Sequence, residues 1–302
     1  MYEKRFGLAR RPFPATPDPD RYYPATGHES ALAALERGLA DDEGIVLLVG
    51  APGTGKTLLG QVILGRLADG HISALLTNSH LADRSALLQA ILYDLGLPYA
   101  DRGEQVLRLR LTDQLLKNCA AGKRTLLVVD EAQHLSADLL EELRLLTNLE
   151  AGSQRALQVV LIAQPDILDT LAQPALAGLQ QRLAVRCRVE PLDVEEACDY
   201  VQHHLRQAGG QPEKVIDEAA LEVLGRGCAG VPRRLNQAAH QALLLADAGE
   251  LRCVDAEAAL EALSLLGLSV AETEMDGAAH AEDNLSVAGS IEGFEVGHRR
   301  TA

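Results

Sequence analysis

Gly44-Ile45-Val46-Leu47-Leu48-Val49-Gly50-Ala51-Pro52-Gly53-Thr54-Gly55-Lys56-Thr57 is the stretch that decides the fold. Its first half is a short continuous apolar run, the signature of a strand buried on both faces of a parallel sheet. Its second half, Gly50 to Thr57, fits G-x-x-x-x-G-K-[ST], the pattern of a phosphate-binding loop between a strand and a helix. The glycines let successive main-chain N–H groups turn inward around an anion with no Cβ in the way. The helix that opens at Lys56 aims its positive dipole end at the same point. In this reading Gly50, Ala51, Pro52, Gly53, Thr54 and Gly55 cradle the phosphates of ATP. Lys56 faces the β- and γ-phosphates, and the Thr57 hydroxyl ligates Mg²⁺.

Working outward, a second apolar run, Leu126-Leu127-Val128-Val129, ends in Asp130-Glu131. Ligands in parallel sheets sit beyond the carboxyl ends of the strands. Two carboxylates there are costly unless they serve a cation or a proton transfer. Asp130 is assigned to the Mg²⁺ shell and Glu131 to the base that orients and polarises the attacking water. The separation of Lys56 from Asp130 leaves room for one strand and three helices, so another strand is expected between the two motif strands. No N-K-x-D guanine signature occurs, which favours adenine.

Weaker signals flank these two motifs. Gln164 follows the run Leu157–Ala163. It reads either as a reporter between Glu131 and the γ-phosphate or as an ordinary turn residue. Arg182 precedes the last apolar strand. It reads as a surface arginine or as a cation that reaches a neighbouring subunit's nucleotide, with Arg186 as the fallback. Arg233 opens a helix after Gly230-Val231-Pro232 and faces either solvent or the phosphates.

Composition agrees with this picture. Hydrophobic residues make up 47% of the 302-residue chain, aromatics only 3%, and there is no Trp. Leu, Ala and Val must therefore fill the core, which favours helices with a few branched strands. The net charge of −15 argues against a broad duplex-DNA face, which must replace phosphate counterions. Five cysteines lack C-x-x-C or zinc spacing and read as reduced thiols. The amino terminus MYEKRFGLARRPFP has no apolar signal region, so a soluble, cytoplasmic protein is expected.

Strands alternate with helices as far as residue 192, which predicts a parallel sheet covered on both sides. The divisions are an extended, proline-rich lead-in over residues 1–27, a nucleotide-binding α/β domain over 28–192 and a small all-helical lid domain over 193–263. Residues 264–302 carry seven acidic residues, two arginines and few large apolar side chains, and read as a disordered acidic tail. Within the divisions, helices are predicted over 137–150 and 174–182, and the last strand over 184–192.

Several longer segments resemble the AAA+ ATPases of the general secretion pathway protein A (ExeA/GspA) type. They are MYEKRFGL, PFPATPDPDRYY, GHESALAALERGL, GAPGTGKT, LLVVDEAQHLSADLLEELRLLTNLE, AQPDI, QRLAVRCRVEPL and GVPRRLN. The resemblance extends to exosortase-associated ATPases and to TnsC/TniB-like transposition regulators. It implies a P-loop NTPase fold with a helical lid, Gln164 as sensor 1, Arg182 as the arginine finger and Arg233 as sensor 2. It also places Tyr22, Tyr23 and His28 near the adenine. Relatives of this type often continue into a membrane span and a peptidoglycan-binding domain, whereas the expectation here is the ATPase module alone, coupled to an envelope machine through a partner. The activity it implies is Mg-ATP hydrolysis that drives conformational change in a homo-oligomer serving secretion or surface-polymer export. Two rivals stand beside it: an ATP-dependent, DNA-associated regulator of transposition, and a nucleotide-switched scaffold with little turnover.

Overall fold

A computed structural model describes residues 2–100, 103–152, 154–183 and 185–269. In chain order its elements are α1 (Thr26–Ala40), β1 (Ile45–Gly50), α2 (Lys56–Arg66), β2 (His71–Leu76), α3 (Arg84–Asp94), α4 (Glu104–Ala120), β3 (Arg124–Val129) and α5 (Ala137–Leu146). There follow β4 (Glu150–Ala151), β5 (Gln154–Arg155), β6 (Leu157–Ala163), α6 (Ile167–Leu171), α7 (Ala177–Gln180) and β7 (Val185–Val189). The chain then turns wholly helical: α8 (Val194–Gln207), α9 (Pro212–Val215), α10 (Glu218–Gly227), α11 (Pro232–Ala248) and α12 (Ala256–Leu265).

Five strands form one parallel sheet in the order β2-β3-β6-β1-β7. One strand does lie between the two motif strands β1 and β3, but it is β6, which follows Asp130 in the chain; β2, the strand within the Lys56–Asp130 interval, takes the sheet edge beside β3. Side-chain alternation splits each strand's apolar residues between two layers. Ile45, Leu47 and Val49 join Leu127, Val159 and Leu161 under α3, α4 and α5. Val46 and Leu48 join Val128, Val160 and Ile162 under α1 and α2. All six residues of β1 are buried, which is why its sequence has no polar alternation.

A third apolar cluster belongs to helices α8 to α12. It also holds Tyr2, Phe6, Leu8 and Phe13, all buried. The amino-terminal segment is thus packed onto the helical part rather than running free. Ala9 N–H donates to the Ala208 carbonyl at 2.8 Å, and the Arg10 guanidinium to the Gln207 carbonyl at 3.0 Å.

Three predicted elements differ at their ends. The helix expected over 137–150 stops at Leu146, where Thr147 Oγ1 bonds back to the Arg144 carbonyl at 2.9 Å, and β4 and β5 form a small antiparallel pair. Residues 174–182 hold a 3₁₀ turn and the four-residue α7 instead of one helix. β7 ends at Val189, because Leu192 N–H turns to the Gly230 carbonyl at 3.0 Å. At the carboxyl side α12 runs two residues into the segment read as tail, and Leu268 packs on the helical cluster. The tail from residue 270 onward lies outside the described residues. Among the described residues the cysteines are free thiols, and no helix is long and apolar enough to cross a membrane.

Candidate functional site

Register brings the motif residues to one level. Val49 pairs with Ala163, and Val129 with Leu161. Gly50, Asp130-Glu131 and Gln164 therefore leave the sheet together at its carboxyl edge. Gly55 takes φ +96° as the cap of α2, so the loop wraps without strain and Lys56 starts the helix. The loop is also gripped from below, where His28 Nε2 lies 3.0 Å from the Thr54 carbonyl.

Thr57 Oγ1 donates to Asp130 Oδ2 at 2.6 Å. A hydroxyl and a carboxylate, both hard oxygen donors, converge where the two motif strands end. Mg²⁺ binds through one or two such groups while keeping waters and phosphate oxygens, so this pair fits the ion. Asp130 is itself held: its Oδ1 accepts Glu131 N–H at 2.9 Å, and the buried Ser79 hydroxyl donates to its main-chain carbonyl. The Lys56 ammonium donates to the Ala51 carbonyl at 2.9 Å. Burial lowers the Lys56 pKa, against the opposing pull of Glu131 and Asp130, and Arg233 adds to the lowering.

Glu131 sits in the left-handed region at φ +52°, a conformation a non-glycine residue adopts at a cost of about 1 kcal/mol. Its side chain receives two amide donors on one oxygen: Gln133 Nε2 at 2.5 Å and Gln164 Nε2 at 3.1 Å, both to Oε2. Burial alone raises a carboxyl pKa. Here those amide bonds, with the nearby Lys56 charge, carry it below its ordinary value, so Glu131 is held as the anion.

A cavity of about 570 Å³ joins these groups to the helical part. Lys56, Thr57, Glu131, Gln164 and Arg233 line it. Phe13, Tyr22, Tyr23, Tyr200 and His204 line it as well, and supply aromatic surface suited to a base. Arg233 N–H donates to the Gly53 carbonyl at 3.2 Å, so α11 begins directly on the phosphate loop. Burial lowers the pKa of His204 to about 4 and that of His28 below its ordinary value, which keeps both imidazoles neutral.

Of the residues singled out in the sequence, Lys56, Thr57, Asp130, Glu131, Gln164 and Arg233 are brought together, and Tyr22, Tyr23 and His28 lie on the same cavity. Arg182 is not among them. It bonds to Asn148 Oδ1 and lines a hollow with Glu43, Gly44 and Ile45, at the amino end of β1. Six residues at about 3.3 Å each separate that end from the phosphate loop, roughly 20 Å. Arg186 is exposed on the edge strand β7, opposite Leu47. Gln133, Ser79, Tyr200 and His204 escaped the sequence reading. Gln133 sits two places after Glu131, in a turn it shares with Ala132 and His134, where a polar residue is ordinary.

The family model described as an AAA domain matches residues 39–171. General secretion pathway protein A of Aeromonas hydrophila is 41% identical over 270 residues, covering 89% of this chain and 49% of that protein. The chain thus spans about half the length of that relative. Among solved structures, the Aeropyrum pernix ORC2 protein in its ADPNP–ADP complexes superposes with a TM-score of 0.69 at 17% identity, over 86% of this chain and 72% of that one. Cdc6p from Pyrobaculum aerophilum gives 0.64 at 18% identity, over 81% and 70%. The Thermotoga maritima RuvB Holliday junction branch migration motor gives 0.55 at 16%, over 85% and 74%. At such identities these likenesses establish the fold and nothing further.

Proposed function

Because this chain belongs to the AAA+ ATPase family and carries its P-loop fold, we propose that it binds Mg-ATP and hydrolyses it. One observation carries this reading: Thr57 and Asp130, far apart in sequence, meet at 2.6 Å directly beside Lys56 and Glu131. Thr57 and Asp130 hold Mg²⁺, which supplies charge for the phosphate oxygens when bound. Lys56 offsets the charge on the β- and γ-phosphates. Glu131 takes a proton from water as the water oxygen bonds to the γ-phosphorus, and the bridging P–O bond breaks with its electron pair leaving on ADP. Gln164 holds the base, and Arg233 reaches the phosphates from the helical part, whose first turn already rests on Gly53.

Arg182 acts in this reading on the nucleotide of a neighbouring copy, since its own phosphate loop lies roughly 20 Å away at the far end of β1. The working form is then an oligomer, with residues 28–192 as the nucleotide-binding part and 193–263 as the lid that moves against it. The relative's name points the motor toward a secretion machine; in this reading a partner protein couples it there, on the cytoplasmic side of the inner membrane.

The test is a pair of variants. Lys56→Ala removes the charge facing the phosphates and should abolish ATP binding. Glu131→Gln should bind ATP as the wild type does and stop turning it over, because an amide takes up no proton. Near-normal hydrolysis by Glu131→Gln would overturn the assignment of the base. Tight ATP binding without turnover in the wild type would favour a nucleotide-switched scaffold.

A further inference from the structure

Gln133 belongs to neither sequence motif, yet its amide stands at the centre of the site. The 3₁₀ turn Ala132–His134 follows Glu131 and folds the Gln133 side chain back toward the sheet. Gln133 Oε1 accepts the main-chain N–H of Gln164 at 3.1 Å. Its Nε2 donates to Glu131 Oε2 at 2.5 Å, and the same nitrogen lies 3.3 Å from His134 Nε2. A main-chain N–H can only donate, so the bond from Gln164 fixes which end of the amide is oxygen. The NH₂ end is thereby committed to the carboxylate.

The carboxylate is bound on one side only. Gln133 and Gln164 both donate to Oε2, while among the described residues Oε1 has no hydrogen-bond partner. A glutamate side chain has three rotatable bonds, and an untethered one wanders over several ångströms. Loss of position by 1 Å can cost about 100-fold in rate.

We propose that Gln133 is a positioning residue for Glu131, tying its carboxylate to the main chain at the end of β6 and leaving Oε1 to face the attacking water. The proposal rests on the reading of Glu131 as the base. The tether runs to Gln164, whose side chain holds the same oxygen, so a shift of the β6 end moves the base with it. A side chain that merely pinned the turn to the sheet would matter for stability and nucleotide binding alike; a positioning residue matters for turnover.

The experiment uses the full chain, at a concentration where wild-type turnover per subunit is constant. Gln133→Leu keeps the approximate shape and removes both hydrogen bonds. The expected result is a fall in kcat of about 10- to 100-fold, with the Kd for ATP unchanged and the thermal midpoint lowered by no more than a few °C, the cost of the lost Gln164 N–H bond. Gln133→Glu keeps the acceptor for Gln164 but sets a like charge against Glu131, and should be at least as slow. Adding Gln133→Leu to Glu131→Gln should slow the protein no further, because both act through one carboxylate. An unchanged kcat in Gln133→Leu, wild-type activity in Gln133→Glu, or a loss confined to ATP affinity overturns the proposal and leaves the base assignment standing. A wild-type chain that binds ATP and never turns it over removes the base assignment and this proposal with it.

Discussion

Replacing Gly230 by alanine should show how far the phosphate site depends on the join between the sheet and the helical part. Gly230 has φ +65°, and a Cβ built on it falls 1.7 Å from the Leu192 carbonyl oxygen and 2.7 Å from its carbon. Both contacts are with backbone, so no side chain can swing aside. The left-handed conformation costs a non-glycine residue about 1–2 kcal/mol. Relieving the overlap means parting the two chains, which breaks the 3.0 Å bond from Leu192 N–H to the Gly230 carbonyl and costs about 1 kcal/mol more. The total is about 2–3 kcal/mol. Gly96 is the matched control: φ is +70°, with nothing within 4 Å of its Cβ, so Gly96→Ala bears the same conformational cost alone, about 1–2 kcal/mol. At about 2 °C per kcal/mol for a chain of this length, Gly230→Ala should melt roughly 5 °C below the wild type and Gly96→Ala roughly 3 °C below. Val231 to Arg233 follow directly, and Arg233 N–H rests on Gly53, so Gly230→Ala should also weaken ATP binding. Denaturant unfolding and ATP titration of both variants give the comparison. Equal destabilisation would refute the argument from the Leu192 contact, and a destabilised Gly230→Ala with wild-type ATP affinity would refute the claim that this join places Arg233.

Two further outcomes are expected. Arg182→Ala should slow turnover with ATP affinity nearly unchanged, and mixing it with Lys56→Ala should restore activity, because each supplies what its neighbour lacks; no rescue at any ratio would place Arg182 outside the reaction. His204 is buried and stays neutral with its pKa driven from 6.5 to about 4, while the unfolded chain takes up the proton near 6.5, so its contribution is complete above pH 6.5 and is lost as the pH falls toward 4, about 3 kcal/mol at most. Unfolding of the wild type and His204→Gln across that window should show a shallower acid slope in the variant; parallel slopes would locate the titration elsewhere, at His203 or His28 for example.

The sequence by itself determined the chemistry that is local in the chain. A phosphate loop needs consecutive small residues followed by Lys56 and Thr57, and a motif strand buried on both faces has to be apolar throughout, so both are legible in a run of fewer than fifteen residues. Asp130-Glu131 is legible for the same reason, being two charges at the end of such a strand. What the sequence left open at Gln164, Arg182 and Arg233 was a question of distance between segments. Only the parallel register put Gln164 on Glu131 and set Arg182 at the far end of β1, and only the fold of α11 onto Gly53 took Arg233 to the phosphate loop. The amino-terminal segment shows the same limit, since its prolines predict an extended chain but cannot say that Tyr2 and Phe13 will be buried among helices two hundred residues later. Gln133 marks it most sharply. Its role depends on one main-chain N–H supplied by a different strand, and a hydrogen bond between partners thirty-one residues apart leaves no periodicity to read.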